Sequence, residues 1–147
     1  MSKQTILYGA TVERSTDGGT TWAKIPECKS IAVPSVETDF QDATSLDSPD
    51  GFREYAKGLK DGGVISVNAG YTSAGYEQQI ADQAEVTPVQ YRTTLPAAPD
   101  QSSGDIFEFQ GFPTPQVEAG DVGGLIEMTI SIRTTGGVTW TKGAAAV

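Results

Sequence analysis

Histidine is absent from the chain and cysteine occurs once. No stretch approaches the ~18 consecutive apolar residues of a membrane-spanning helix. Each absence closes a class of function. Without His, the commonest general base and the commonest metal ligand are missing. A lone Cys28 forms neither an internal disulfide nor a Cys-rich zinc site. Met1-Ser2-Lys3-Gln4 is not followed by an apolar run, so no secretory leader is expected and synthesis in the cytoplasm is. Positive charge is scarce: 10 Lys and Arg stand against 19 Asp and Glu, a net charge of −9. That deficit disfavours both phosphate-neutralising nucleic-acid binding and attraction to an anionic membrane. An acidic protein handles DNA chiefly by declining to adhere to it.

What is present reads as one globular β domain over residues 1–147, 37% hydrophobic and 20% charged. Seventeen Gly and eight Pro are dispersed along the chain, as turns between short strands require. Residues 5–14 and 20–27 read as a hairpin, and 30–43 as an extended stretch with Ser35, Glu37 and Asp39 on one face. Residues 44–62 show neither strand nor helix period and read as a long inter-strand loop. Leu46, Phe52, Tyr55 and Leu59 give that loop more apolar anchors than a solvated linker carries.

Residues 64–71 alternate cleanly, with Ser66 and Asn68 on the polar side. Residues 74–85 are the helix candidate, with Tyr76, Ile80 and Ala84 as its apolar stripe. Strands follow over 89–95 and 105–112, with Pro113 and Pro115 marking a bend or an edge. In 125–135, Ile126, Met128, Ile130 and Ile132 oppose Glu127, Thr129, Ser131 and Arg133; residues 138–141 add a last strand. The tail 143–147 is expected to be flexible. The fold class is therefore mainly β: an antiparallel β-sandwich or partly open barrel with one α-helix packed beside it.

From residue 31 onward the chain resembles the tail tube proteins of long, non-contractile-tailed bacteriophages. The likeness is strongest in Thr44-Ser-Leu-Asp-Ser-Pro-Asp-Gly-Phe-Arg-Glu-Tyr-Ala-Lys-Gly-Leu-Lys-Asp-Gly-Gly-Val64. It extends to Gly111-Phe112, to Ile130–Gly136 and to Val138–Thr141. The resemblance implies a structural virion protein, made in the host cytoplasm, without enzymatic activity or cofactor. Such subunits form hexameric rings that stack into a hollow tube. The tube assembles around a tape-measure protein, joins terminator and distal tail proteins, and conducts DNA without binding it specifically.

On that reading Ser35, Glu37, Asp39, Ser66, Asn68, Gln116, Glu118, Glu127, Thr129 and Ser131 are candidates to line the lumen. Carboxylates there would repel phosphates over about 8 Å at physiological salt; Arg133 departs from the pattern and is expected to pair with an acid. The alternative is the solvent face of an ordinary monomer. Leu46, Asp47, Asp50, Phe52, Arg53, Glu54, Tyr55 and Leu59 are candidates for stacking between rings, against the alternative of a loop packed on its own domain. Two other functions compete: a secretion-type tube or ring subunit, and a monomeric carbohydrate-binding β-sandwich. The last is suggested by the tryptophans and by Ser15-Thr-Asp-Gly-Gly-Thr-Thr-Trp22, which fits the Asp-box pattern. A single copy of that motif is a hairpin device rather than a propeller blade. Acid pairs carry no catalytic signal in a chain with 19 acids. Asp100, Asp105 and Glu108 lack EF-hand spacing.

Overall fold

In the computed structural model, which describes residues 4–118 and 120–145, strands dominate. They are β1 (Thr11–Ser15), β2 (Ala23–Lys24), β3 (Cys28–Ser30), β4 (Glu37–Asp42), β5 (Tyr55–Asp61) and β6 (Val64–Gly70). After helix α1 (Ser73–Ala84) come β7 (Val89–Thr94), β8 (Ile106–Glu118) and β9 (Glu127–Thr141). Seven strands form one antiparallel sheet in the order β2-β1-β7-β8-β9-β6-β3, curled into a half-barrel, so the partly open barrel expected from the sequence is the one present. Its curl follows from connectivity. β2 and β3 stand at opposite ends of the order, yet only Ile25, Pro26 and Glu27 separate them. That stretch spans at most roughly 14 Å, so the two borders of the sheet approach each other there.

The inner face carries the core. Val12, Val67, Tyr91, Met128, Ile130 and Ile132 are essentially inaccessible, and Tyr91 stacks on Phe109 with ring centroids 5.6 Å apart. Period-two alternation puts these residues on the side that α1 covers. Thr72 caps α1 by accepting the Gly75 N–H at 3.1 Å. Contrary to the expected stripe of Tyr76, Ile80 and Ala84, the buried face of α1 is Gly75, Gln79 and Asp82. Tyr76 is half-buried at the core margin, whereas Ile80 is 42% exposed. Two interactions rotate the helix. Gly75 lets it close on Pro26, and Arg14 on β1 draws Asp82 inward through a two-pronged ion pair from Nε and Nη2. Burial pushes the Asp82 carboxyl above its ordinary value of 3.8, against the pull of Arg14.

Other expectations shift as well. The first strand starts at Thr11, not residue 5, because Gly9 at φ 96° closes a turn with Ala10 N–H donating to the Leu7 carbonyl. Ile126 precedes β9 and is 49% exposed rather than facing the core. The segment 44–62 is not one long loop: its second half is β5, paired with β4 as a separate two-stranded sheet. Every residue of β5 is exposed, so no apolar alternation betrays that strand in the sequence. At the C-terminus, Gly143 N–H donates to Asp105 Oδ1 at 2.8 Å and Ala144 N–H to Ser103 Oγ at 2.9 Å. Ala146 and Val147 lie outside the described residues.

Candidate functional site

The outer face of the sheet is a contiguous polar surface. Cross-strand register aligns Thr114, Ser131 and Ser66 in one row, and Gln116, Thr129 and Asn68 in the next. Glu118 lies opposite Glu127 in a third. The structure thus gathers Ser66, Asn68, Gln116, Glu118, Glu127, Thr129 and Ser131 on one face. Thr129 Oγ1 donates to Asn68 Oδ1 at 3.0 Å. Charge is partly neutralised: Lys29 meets Glu127 at 2.9 Å, and Arg133 meets Asp61 at 3.1 Å. Ser35, Glu37 and Asp39 do not join this face. Ser35 precedes β4 and Glu37 opens it, and both line a cavity with Asp61, Gly63 and Val64; Asp39 sits further along that strand.

Two borders of this wall are open among the described residues. β7 pairs with β8 only as far as Val89 opposite Gly111, so residues 112–118 are bonded to β9 alone. On the other side, β3 reaches only Asn68 and Ala69 of β6, which leaves residues 64–67 without a strand partner on that border, where Val33 and Ser35 line a cavity beside Val64 and Ile65. Pro113 and Pro115 have no N–H, so they occupy the edge positions that β9 does not need. They therefore mark an edge rather than a bend. An edge of this kind accepts hydrogen bonds through its carbonyls but offers few donors, which blunts indiscriminate strand pairing.

The β4–β5 hairpin is an arm anchored at its base. Asp61 Oδ1 accepts the Gly63 N–H at 3.0 Å in a side-chain-closed turn, and Gly63 adopts φ 72°. A Cβ at Gly62 would meet Thr134 Oγ1 at 2.6 Å, while Thr134 Oγ1 donates to the Gly63 carbonyl at 2.7 Å. The Asp-Gly-Gly run is therefore the joint between arm and sheet. The Gly63 amide, then Arg133, hold the Asp61 carboxyl below its ordinary value.

The tip of the arm is ordered by its own polar groups. Glu54 accepts from Ser48 Oγ at 3.0 Å, Thr44 Oγ1 accepts the Glu54 N–H at 2.9 Å, and Arg53 reaches Asp42 at 3.4 Å. The apolar side chains take no part. Leu46 is fully exposed, Leu59 86%, Phe52 73% and Tyr55 59%. Among the stacking candidates Arg53 and Glu54 thus face separate partners, and Asp47 and Asp50 make no ion pair among the described residues. Leu46, Phe52, Tyr55 and Leu59 are thus bare apolar side chains on a locally ordered hairpin.

The Asp-box segment behaves as a hairpin device. Asp17 Oδ1 accepts from Ser15 Oγ at 2.7 Å, from Thr21 N–H at 2.9 Å and from Thr20 N–H at 3.1 Å. Trp22 lies under the Arg92 guanidinium, 4.4 Å from its ring centroid. The Thr21 amide, then Ser15, lower the Asp17 carboxyl from 3.8 to about 2. A carboxyl depressed on folding stabilises the native state fully above the unfolded value and loses that contribution as pH falls through the folded one. Acid titration of Asp17→Asn is therefore expected to be flatter than wild type between pH 3.8 and about 2; superimposable melting-temperature profiles over that window would disprove it.

Sequence reasoning missed two features: the Arg14–Asp82 pair, whose members lie on separate elements, and a groove beside β2 and β3. Neither leaves a periodic signal. Among the described residues no cluster of three His, Cys, Asp or Glu side chains is arranged to hold a metal ion.

No protein-family model matches the chain, and no curated protein matches it in sequence. Solved structures share its fold, and two of them illustrate it. One is a chain from the cryo-EM structure of the anti-feeding prophage baseplate, 6-fold symmetrised, with a TM-score of 0.68 and 10% identity over 97% of this chain and 98% of that one. The other is from the tail of an empty gene transfer agent particle with C6 symmetry, with a TM-score of 0.62 and 20% identity over 89% of this chain and 94% of that one. At these identities the likeness establishes the fold, and it spans nearly the whole of each chain.

Proposed function

We propose that this protein is a structural subunit of a phage-type tail tube, forming hexameric rings that stack into a conduit for DNA. One observation carries the reading: the polar wall of β6, β9 and distal β8 ends in an open border on each side. Different borders meeting head to tail make a heterologous interface, which closes into a ring when the rotation per copy divides a full turn. A wall built this way is a closed barrel whose polar inner face borders water. The sixfold symmetry of both fold relatives supports six copies.

The lumen then belongs to Ser66, Asn68, Gln116, Glu118, Glu127, Thr129 and Ser131. Hydroxyls, amides and carboxylates dominate this face, and its cations Lys29 and Arg133 are already paired with Glu127 and Asp61, so the phosphate backbone meets little free positive charge. Ser35, Glu37 and Asp39 belong to the base and stem of the arm and contribute to a rim rather than to the wall. The arm makes the contact between rings. No catalytic role enters this reading. A monomeric glycan binder is disfavoured because Trp22 is already occupied by Arg92.

Electron microscopy of the purified protein at high concentration tests the proposal. Rings or filaments with sixfold symmetry are expected, with the Asn68–Thr129 row facing the bore. A protein that stays monomeric at millimolar concentration, or a tube lined by the α1 side, would refute it.

A further inference from the structure

Resting on the self-assembly reading above, a second surface of this chain has the properties of a receptor for the arm. Leu7, Tyr8 and Ile31 form the apolar walls of a cavity of about 470 Å³, with Lys24, Lys29 and Cys28 at its margin. It lies where the two ends of the curled sheet approach, so β2 supplies Lys24 and β3 supplies Cys28 and Lys29. Its volume is that of an ordinary binding cleft. Tyr8 is 89% exposed and Leu7 45%, so the walls are uncovered in the single chain.

Charge and bare apolar surface together match the arm tip as occupant. Arg14, Lys29, Arg53, Arg92 and Arg133 each face a carboxylate of their own chain. Lys142 lies in the field of Asp105. Lys57 and Lys60 are unpaired too but belong to the arm itself; outside the arm, Lys24 has no ion-pair partner among the described residues. The arm tip presents the complement: Leu46 and Phe52 bare, flanked by the unpaired Asp47 and Asp50. Asp50 stands at φ 55° and Gly51 at φ 70°, so a tight turn thrusts Phe52 outward. We propose that the arm tip of one copy seats in the Leu7–Tyr8–Ile31 groove of a second copy, with Asp47 or Asp50 on Lys24. Apolar anchors supply the affinity, and the carboxylate–ammonium match fixes which groove is entered and in what orientation.

Cys28, at the groove margin, is the chain's one cysteine and serves as the reporter. Burial pushes its thiol above the ordinary value, so oxidation is run at about pH 9 to supply thiolate. In Leu46→Cys, assembled at high concentration and oxidised, a ladder of disulfide-linked dimers and higher multimers is expected on non-reducing gels. Leu46→Cys/Cys28→Ser should give only dimers joined tip to tip, or none. Assembled rings or filaments that yield no ladder dependent on Cys28 overturn the docking site but leave self-assembly standing. Absence of any assembly in the wild-type protein overturns both.

A charge exchange covers the case in which Leu46→Cys itself blocks assembly. Lys24→Glu is expected to raise the critical concentration about tenfold, and adding Asp47→Lys and Asp50→Lys to bring it back within about threefold of wild type. Equal assembly by Lys24→Glu and wild type, or no rescue by the exchange, overturns the proposal.

Discussion

Replacing residues 43–54 with an Asn-Gly turn is expected to leave a folded monomer that no longer assembles. The arm contributes no buried side chain to the core, so its shortening removes little native-state packing. Its joint survives intact, since Asp61, Gly62, Gly63 and Thr134 all lie outside the deletion. The deletion does remove Leu46 and Phe52, the barest large apolar side chains of the tip. Burying each between copies is worth about 1.5 kcal/mol at the low end. Losing both raises the critical concentration by at least about 100-fold. Analytical ultracentrifugation beside thermal melting reads the result. An unchanged melt with a monomeric boundary is expected; tubes at the wild-type concentration would remove the arm from the stacking interface.

Asp82→Ala is expected to destabilise the fold by about 3–5 kcal/mol, because it strands the Arg14 guanidinium under α1 without its carboxylate. At this chain length that corresponds to a fall in Tm of roughly 10–20 °C. The paired control separates charge from packing. With Arg14→Met and Asp82→Leu together, both ions and their desolvation disappear, and stability is expected to return to within about 1 kcal/mol of wild type or above it. The pH dependence has a defined sign. Burial sets the folded Asp82 value above 3.8, so the unfolded chain ionises first and the contribution of this carboxyl falls as pH rises through that range. A Tm drop of only one or two degrees in Asp82→Ala would mean that Arg14 escapes to solvent and the pair does not orient the helix.

The two variants also separate two layers of the molecule. The arm concerns what copies do to one another, whereas Arg14–Asp82 concerns how one copy holds α1 against its sheet. Assembly by an Asp82 variant below its lowered Tm, beside a stable but monomeric arm variant, would show the layers to be independent.

Alternation alone determined the wall. In residues 127–133 and 65–70 one side chain in two is apolar, and a strand with that period can bury only one face. The same logic put Ser66, Asn68, Glu127, Thr129 and Ser131 together on the polar side before any register was known. Pro88 bars continuation of the helix through local chemistry alone. Tertiary structure decided what periodicity does not encode. Whether Ser35, Glu37 and Asp39 join the wall depends on which strand β4 pairs with, and it pairs with β5, exposed on both faces. The rotation of α1 depends on a partner across the fold, since Arg14 and a close-approaching Gly75 outweigh an apolar stripe. The open borders depend on how far β7 and β3 run alongside their neighbours, a length fixed by the curl of the whole sheet rather than by any residue at its edge.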